Sequence, residues 1–364
     1  MSTVATDVSL FAPYDLGPIP LANRIVMAPM TRNRATGNVP NDLMVEYYAQ
    51  RASAGLIITE GTSPSPNGLG YARIPGAFNQ DHAAGWQRVT EAVHAKGGRI
   101  FIQLMHTGRA SHPANMAAGT QVLSASAVPD PGPGIYTDAE GMQPFPVPTA
   151  MTVTDIQTAV QEFADSAKLA VDAGFDGVEL HGANGYLLEE FLNPAANQRT
   201  DAYGGSDENR QRFVLEVAAA VVAAIGGDRL GIRLSPYGVF GGMAPFAGIE
   251  AFYGTLAGKL NDLGLAYLHM VDHSAMGAPA VPQSVKDGIR AAFKKTVILS
   301  GGYDAARAQA DLTAGKGDLV AFGRPFISNP DLVVKLKSGA ALRAGNMDTF
   351  YTPGEVGYTD YPVD

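Results

Sequence analysis

Cysteine is absent from the 364 residues. This removes disulfides, a thiolate nucleophile and any cysteine-rich metal site, so redox chemistry in this chain requires a bound cofactor. Basic residues are outnumbered by acidic ones, 26 to 35, for a formal net charge of −9. A broad nucleic-acid face or an anionic-membrane surface is therefore not expected, although a local cationic pocket is compatible with that balance. No apolar run is long enough to cross a bilayer, and Met1–Leu10 lacks the basic and apolar segments of a secretory leader. Cytoplasmic residence is the resulting expectation. Three motifs are also missing: GxGxxG after a strand, the GxxxxGK[ST] phosphate loop, and HExxH. Nothing thus points to a Rossmann-held dinucleotide, a P-loop nucleotide or a helical zinc site.

What is present is a large apolar fraction, 46%, against 17% charged residues, enough for an extensive core. The length would hold two or three average domains, or one (β/α)₈ barrel with insertions. Eight short apolar runs favour the barrel: Ile25–Ala28, Leu56–Thr59, Ile100–Leu104, Gly177–Leu180, Leu230–Leu234, Tyr267–Val271, Val297–Ser300 and Leu319–Phe322. Near-continuous apolar strands suit a parallel sheet covered on both faces, and the intervening segments carry helical periodicity. Asp155–Ala173 and Glu208–Ile225 are two such segments. Thr154 is a candidate N-cap for the first and Gly174 its stop, while Ser206 caps the second. The fold class read from this alternation is α/β, a closed TIM barrel.

Two stretches lie outside the repeat. Leu10–Arg24, with its prolines and Gly17, suits a hairpin closing the barrel bottom. His106–Ala150 is too long and too rich in proline and glycine for an ordinary connection; it reads as a lid or capping excursion after the third strand. No linker interrupts the chain, so residues 1–364 are expected to form one domain.

In such barrels chemistry collects where strands run into their following loops. Ser300-Gly301-Gly302 and Gly323-Arg324-Pro325 follow the last two strands. Glycines here can be mere turn formers, but a pair of bare turns plus an arginine at adjacent strand ends is better explained as a phosphate site. A phosphorylated cofactor would then lie across the mouth, its ring over the first strands, near Thr31, Gln103 and Arg233.

The segment His181-Gly-Ala-Asn184-Gly-Tyr186 follows the fourth strand. A lone histidine is ordinarily a satisfied structural side chain. With a carboxamide and a phenol close by, polarisation of a substrate oxygen becomes the stronger reading: His181 and Asn184 converge as on a helical turn, and Tyr186 points elsewhere as a proton donor. A metal site built from Glu179, His181 and His106 or His112 is the weaker alternative, lacking a third ligand at definite spacing. Glu189 and Glu190 are expected on a solvated helix face.

In their order and spacing, these pieces resemble the old yellow enzyme family, its ene-reductase branch. The likeness runs through Ala28-Pro-Met-Thr-Arg32, Thr59-Glu-Gly61, Gln103-Leu-Met-His-Thr-Gly-Arg109 and His181–Leu188. It continues through Asn197–Gly205, Ala321-Phe-Gly-Arg324 and Tyr358-Thr-Asp-Tyr-Pro362. The resemblance implies a tightly but noncovalently held FMN. Thr31, Gln103 and Arg233 would contact the ring, Ala28, Pro29, Met30 and Gly61 line it, and Gly301, Gly302, Gly323 and Arg324 hold its phosphate. It also implies ping-pong reduction of an electrophilic alkene or nitro compound by NADPH or NADH. His181 and Asn184 would bind the electron-withdrawing oxygen and Tyr186 would supply the proton. Tyr71, Phe240 and Tyr351 are candidate substrate walls, or simply packed aromatics. Met105 stands where many relatives carry tryptophan, and Asn184 where others carry histidine. The expected partners are small molecules, with no nucleic acid or membrane, for a monomer or homodimer. A flavin-independent aldolase or isomerase acting on a phosphorylated substrate is the main alternative, and a noncatalytic binding barrel the third.

Overall fold

The structure, a computed structural model, describes residues 8–363. Most of the Met1–Leu10 segment read for a leader therefore lies outside the described residues.

Strands β1 (Tyr14–Leu16) and β2 (Ile19–Leu21) form the expected antiparallel hairpin, turning through Gly17 at φ 56°. Leu16, Ile19 and Leu21 pack against Val26, Phe101, Tyr267 and Leu319, closing the lower end of the barrel. The barrel then begins with β3 (Ile25–Met27), α1 (Asp42–Gln50), β4 (Leu56–Thr62), α2 (Gln80–Ala95) and β5 (Ile100–Leu104). The excursion carries β6 (Leu123–Ser124), the hairpin β7 (Ile135–Thr137) and β8 (Gly141–Gln143), and β9 (Thr149–Ala150), which pairs parallel with β6.

After it come α3 (Val153–Asp172), β10 (Gly177–Gly182), α4 (Leu187–Leu192), α5 (Asp207–Ile225), β11 (Leu230–Leu234), α6 (Ile249–Asp262) and β12 (Tyr267–Val271). The chain finishes through α7 (Gln283–Ala292), β13 (Thr296–Ser300), α8 (Ala305–Thr313), β14 (Leu319–Phe322), α9 (Arg324–Ser328) and α10 (Leu332–Ser338).

Eight strands close a parallel barrel in the order β3-β4-β5-β10-β11-β12-β13-β14, with β14 returning to β3. Every residue of these strands is buried, which is why they read as unbroken apolar runs rather than alternating ones. The run at Leu56 extends three residues further than expected, to Thr62. A register shift between Ile58 and Gly61 lets the strand continue and pairs Gly61 with Gln103. Among the described residues no helix is long and apolar enough to cross a membrane.

One helix start differs from expectation. Thr152, not Thr154, caps α3: its hydroxyl accepts from Asp155 N at 3.1 Å while the Asp155 carboxylate accepts from Thr152 N at 2.8 Å. The reciprocal box satisfies two otherwise orphaned donors, an advantage Thr154 cannot match from inside the first turn. At the other end Gly174 takes φ 95° after Ala173, and Ser206 caps α5 by accepting from Asn209 N.

Candidate active site

Above the C-terminal ends of the barrel strands lies a cavity of about 1050 Å³. Glycine makes one side of it possible. Gly301 sits at φ 140°, and a Cβ there would approach Asp272 O to 2.3 Å; Gly302 takes φ 62°. Gly323 follows β14 and leads into α9, whose first residue is Arg324. All four line the cavity, so bare backbone and a guanidinium face the same space.

Across the mouth, Ala28, Pro29, Met30 and Thr31 line the cavity where β3 ends, and Gly61 where β4 does. A Cβ on Gly61 would come within 2.4 Å of Met105 Sδ, so Met105 fills the place beside it. Gln103 Nε2 donates to Glu179 Oε1 at 2.8 Å, leaving its amide oxygen as the acceptor offered to the cavity. Glu179 also accepts from Tyr267 OH at 3.0 Å and His269 Nδ1 at 2.9 Å. These donors occupy the carboxylate that the metal alternative required. His106 accepts from Gly108 N instead, and His112 from Ala114 N.

Arg233 is buried on β11, in register with His181. Its Nε is buried without a hydrogen-bond partner among the described residues. A guanidinium in that position costs stability unless an electron-rich group joins it, and the cavity it lines is where such a group would sit. The acceptor on Gln103, the orphan donor on Arg233 and the glycine turns together fit a flat ring with imide and carbonyl edges joined to a phosphate, which is the chemistry of FMN.

The remaining donors cluster after β10. His181 Nδ1 accepts from Ala183 N at 3.3 Å, so the proton of the neutral ring resides on Nε2. Burial, reinforced by Arg233, holds its pKa well below the ordinary value. Asn184 takes φ 62° and its backbone N donates to Ser235 Oγ at 3.0 Å. The segment is thus a strand end followed by a left-handed turn, not the helical turn expected. Tyr186 also departs from expectation: rather than pointing elsewhere, it lines the same cavity, its ring edge-on to His181 at 4.8 Å. Its hydroxyl donates to Tyr71 OH at 3.1 Å, and burial raises the pKa of both phenols.

Glu189 and Glu190 overturn the solvated-face expectation, because both are fully buried in α4. Glu189 accepts from Gly185 N and from Ser235 Oγ, each at 2.6 Å, and so ties together the turn that carries Asn184. Glu190 accepts from Arg109 N and Ser124 Oγ, both at 2.7 Å, anchoring the start of the excursion. Burial pushes each pKa up to about 7.

Among the expected walls, Tyr71 and Tyr351 line the cavity, Tyr351 at an exposed rim. Phe240 does not. Its ring lies edge-on to His273 at 4.8 Å and is exposed on its other side. The excursion contributes Ile135, Tyr136 and Phe145 to the cavity, and the C-terminal segment contributes Phe350. His273, which also lines it, was missed. The signal was available, since His273 follows β12, the barrel strand whose end had been left without a candidate.

A profile of the NADH:flavin oxidoreductase / NADH oxidase family matches residues 9–343. A probable flavin mononucleotide-dependent alkene reductase of Leishmania infantum is 40% identical, covering 97% of this chain and 97% of its own. Morphinone reductase in complex with tetrahydroNAD superposes with a TM-score of 0.93 at 45% identity, over 98% of this chain and 97% of that one. The old yellow enzyme homologue of Zymomonas mobilis gives 0.93 at 40%, over 98% and 99%. These relationships set aside a flavin-independent aldolase or isomerase. With the closed barrel, they establish that the chain belongs to the NADH:flavin oxidoreductase family of old yellow enzymes and is an FMN-dependent NAD(P)H ene-reductase.

Proposed function

We propose that this enzyme reduces the activated carbon–carbon double bond of α,β-unsaturated carbonyl or nitro compounds, the nicotinamide and the alkene taking turns in one cavity. Nitrate esters are a further candidate class. The observation that carries this reading is that His181, Asn184 and Tyr186, each with a hydrogen to donate, line the cavity that Gln103 and Arg233 also line.

FMN, when bound, would supply the hydride-transfer chemistry that links the nicotinamide to the β-carbon of the alkene. Thr31, Gln103 and Arg233 would hold the ring, Ala28, Pro29, Met30 and Gly61 would line it, and Gly301, Gly302, Gly323 and Arg324 would receive the phosphate. His181 Nε2–H and the Asn184 amide donate to the carbonyl or nitro oxygen, drawing electron density from the alkene. Tyr186 protonates the α-carbon, so hydride plus proton completes the saturated product. Tyr71 and Tyr351 flank the acceptor. The described residues 8–363 act as one unit, with about 106–150 capping the mouth. The acidic net charge supports small molecules over nucleic acid as partners.

Anaerobic stopped-flow tests the reading. NADH or NADPH is expected to bleach the yellow protein, and cyclohexenone or a nitroalkene to restore its colour with formation of the saturated product. Bleaching without reoxidation by any alkene of a broad panel would overturn it.

A further inference from the structure

His273 is held from several sides. Asp272 N donates to Ser300 O at 2.8 Å across the strand ends, while the Asp272 carboxylate accepts from Ser274 N at 3.0 Å and from Lys286 Nζ at 2.6 Å. The Phe240 ring packs edge-on against the imidazole at 4.8 Å. Little of His273 is exposed, yet it borders the cavity. Its Nε2 lies 2.6 Å from Asn184 Oδ1. An amide oxygen can only accept, so Nε2 carries the proton and donates.

That contact decides what Asn184 offers. A carboxamide rotated by 180° presents either two donor hydrogens or an acceptor oxygen to the same point in space. The backbone of Asn184 is fixed by its left-handed turn and by Ser235 Oγ, which leaves the two side-chain torsions, the amide's rotation among them, to be set by a partner. With the oxygen engaged by His273, the NH₂ group is the part left for the cavity, beside the Nε2–H of His181. Both groups then present donors.

We propose that His273 is a positioning residue that locks Asn184 as a hydrogen-bond donor, making the site selective for ligands that present an oxygen acceptor there. It rests on the reading above that Asn184 meets the ligand's electron-withdrawing oxygen. His273 moves no proton in the reaction and acts only through Asn184. The charged and titratable groups around it are Arg233 on β11, His181 on β10 and Asp272 on its own loop. Burial, with Arg233, lowers the His273 pKa to about 4, so the imidazole stays neutral and its tautomer, rather than its charge, sets the amide.

The test uses the FMN-loaded enzyme with 4-nitrophenolate as an oxygen-acceptor probe, its binding followed by absorbance. His273→Leu removes the donor and is expected to weaken binding several-fold to about tenfold, with a parallel rise in KM for cyclohexenone. His273→Gln, whose amide can still donate, is expected to recover part of the loss. On an Asn184→Ala background, His273→Leu is expected to have no further effect. Nitrogen-15 NMR of histidine-labelled wild type supplies a reading independent of any variant's folding: the His273 ring must report a neutral imidazole protonated at Nε2.

An Nδ1-protonated ring, or an equal loss of binding with and without Asn184, overturns the proposal while leaving the functional reading intact. Wild-type enzyme that neither binds nitrophenolate nor reduces cyclohexenone overturns the functional reading, and this proposal falls with it.

Discussion

The hydroxyl of Tyr186 donates to the hydroxyl of Tyr71 at 3.1 Å, and both rings are held edge to face at 6.1 Å. Burial keeps the two phenols protonated; the Tyr186 hydroxyl borders the cavity with its one hydrogen resting on Tyr71, and rotation about the C–O bond would bring that hydrogen to a ligand. Tyr186→Phe is expected to slow alkene reduction by about 10²-fold or more while leaving flavin reduction by the nicotinamide nearly unchanged. Tyr71→Phe should have a smaller effect, because it removes the guide and not the acid. Stopped-flow measurement of the two half-reactions separates these outcomes; equal slowing of both in Tyr186→Phe would argue against a proton-donor role.

Arg233 carries a buried donor with no partner among the described residues. If the flavin ring completes it, Arg233→Met should weaken FMN retention by about tenfold or more, the usual scale for losing a charged hydrogen bond. Flavin fluorescence released on dilution gives the affinity, and thermal melting with excess FMN controls for folding. Retention at the wild-type level would place the partner of Arg233 elsewhere.

At Gly301 the backbone is in a region closed to most side chains, and a Cβ would meet Asp272 O at 2.3 Å. Gly301→Ala should lower stability by about 1–3 kcal/mol from strain and disturb the phosphate turn together. The expected signature is a lower Tm plus weaker FMN binding. A variant with normal Tm and normal affinity would show that the turn yields readily.

Glu190 accepts from Arg109 N and Ser124 Oγ in a buried setting that pushes its pKa from 4.5 up to about 7. Between those values the folded state binds a proton that the unfolded state has lost. This stabilising contribution is fully present below about pH 4.5 and lost as pH rises through about 7. Glu190→Gln cannot ionise, so its stability relative to wild type should improve by up to about 3 kcal/mol over that interval. Denaturant melts of both proteins at pH 5 and pH 8 measure the difference; a constant offset would mean that Glu190 is ionised throughout.

Much of the architecture was written locally. Strands buried on both faces need apolar residues at every position, so the runs at Ile100, Leu230 and Tyr267 announced themselves with their limits intact. The glycine turns after the last two strands were equally legible, and at Gly301 the need for glycine is steric, since a Cβ would meet Asp272 O at 2.3 Å. Thr152 was missed as a helix cap because Thr154 has the same chemistry two residues on, and only the reciprocal bonds with Asp155 distinguish them.

His181, Asn184, Tyr186, Gln103 and Arg233 could be named from the sequence because strand ends in a barrel share one mouth, and the chemistry they bear is local to each residue. Their orientation was not local. The amide of Asn184 is turned by His273, 89 positions away; Gln103 is turned by Glu179, and Glu189 and Glu190 have no charge-pairing pattern along the chain to mark them as buried. Phe240 likewise looked like a wall and became the backing of His273. Which polar residues stand at the strand ends was legible in the sequence, because each belongs to its own strand; how their hydrogens are turned depends on partners that only the closed barrel brings together, His273 for Asn184 at 2.6 Å and Glu179 for Gln103 at 2.8 Å.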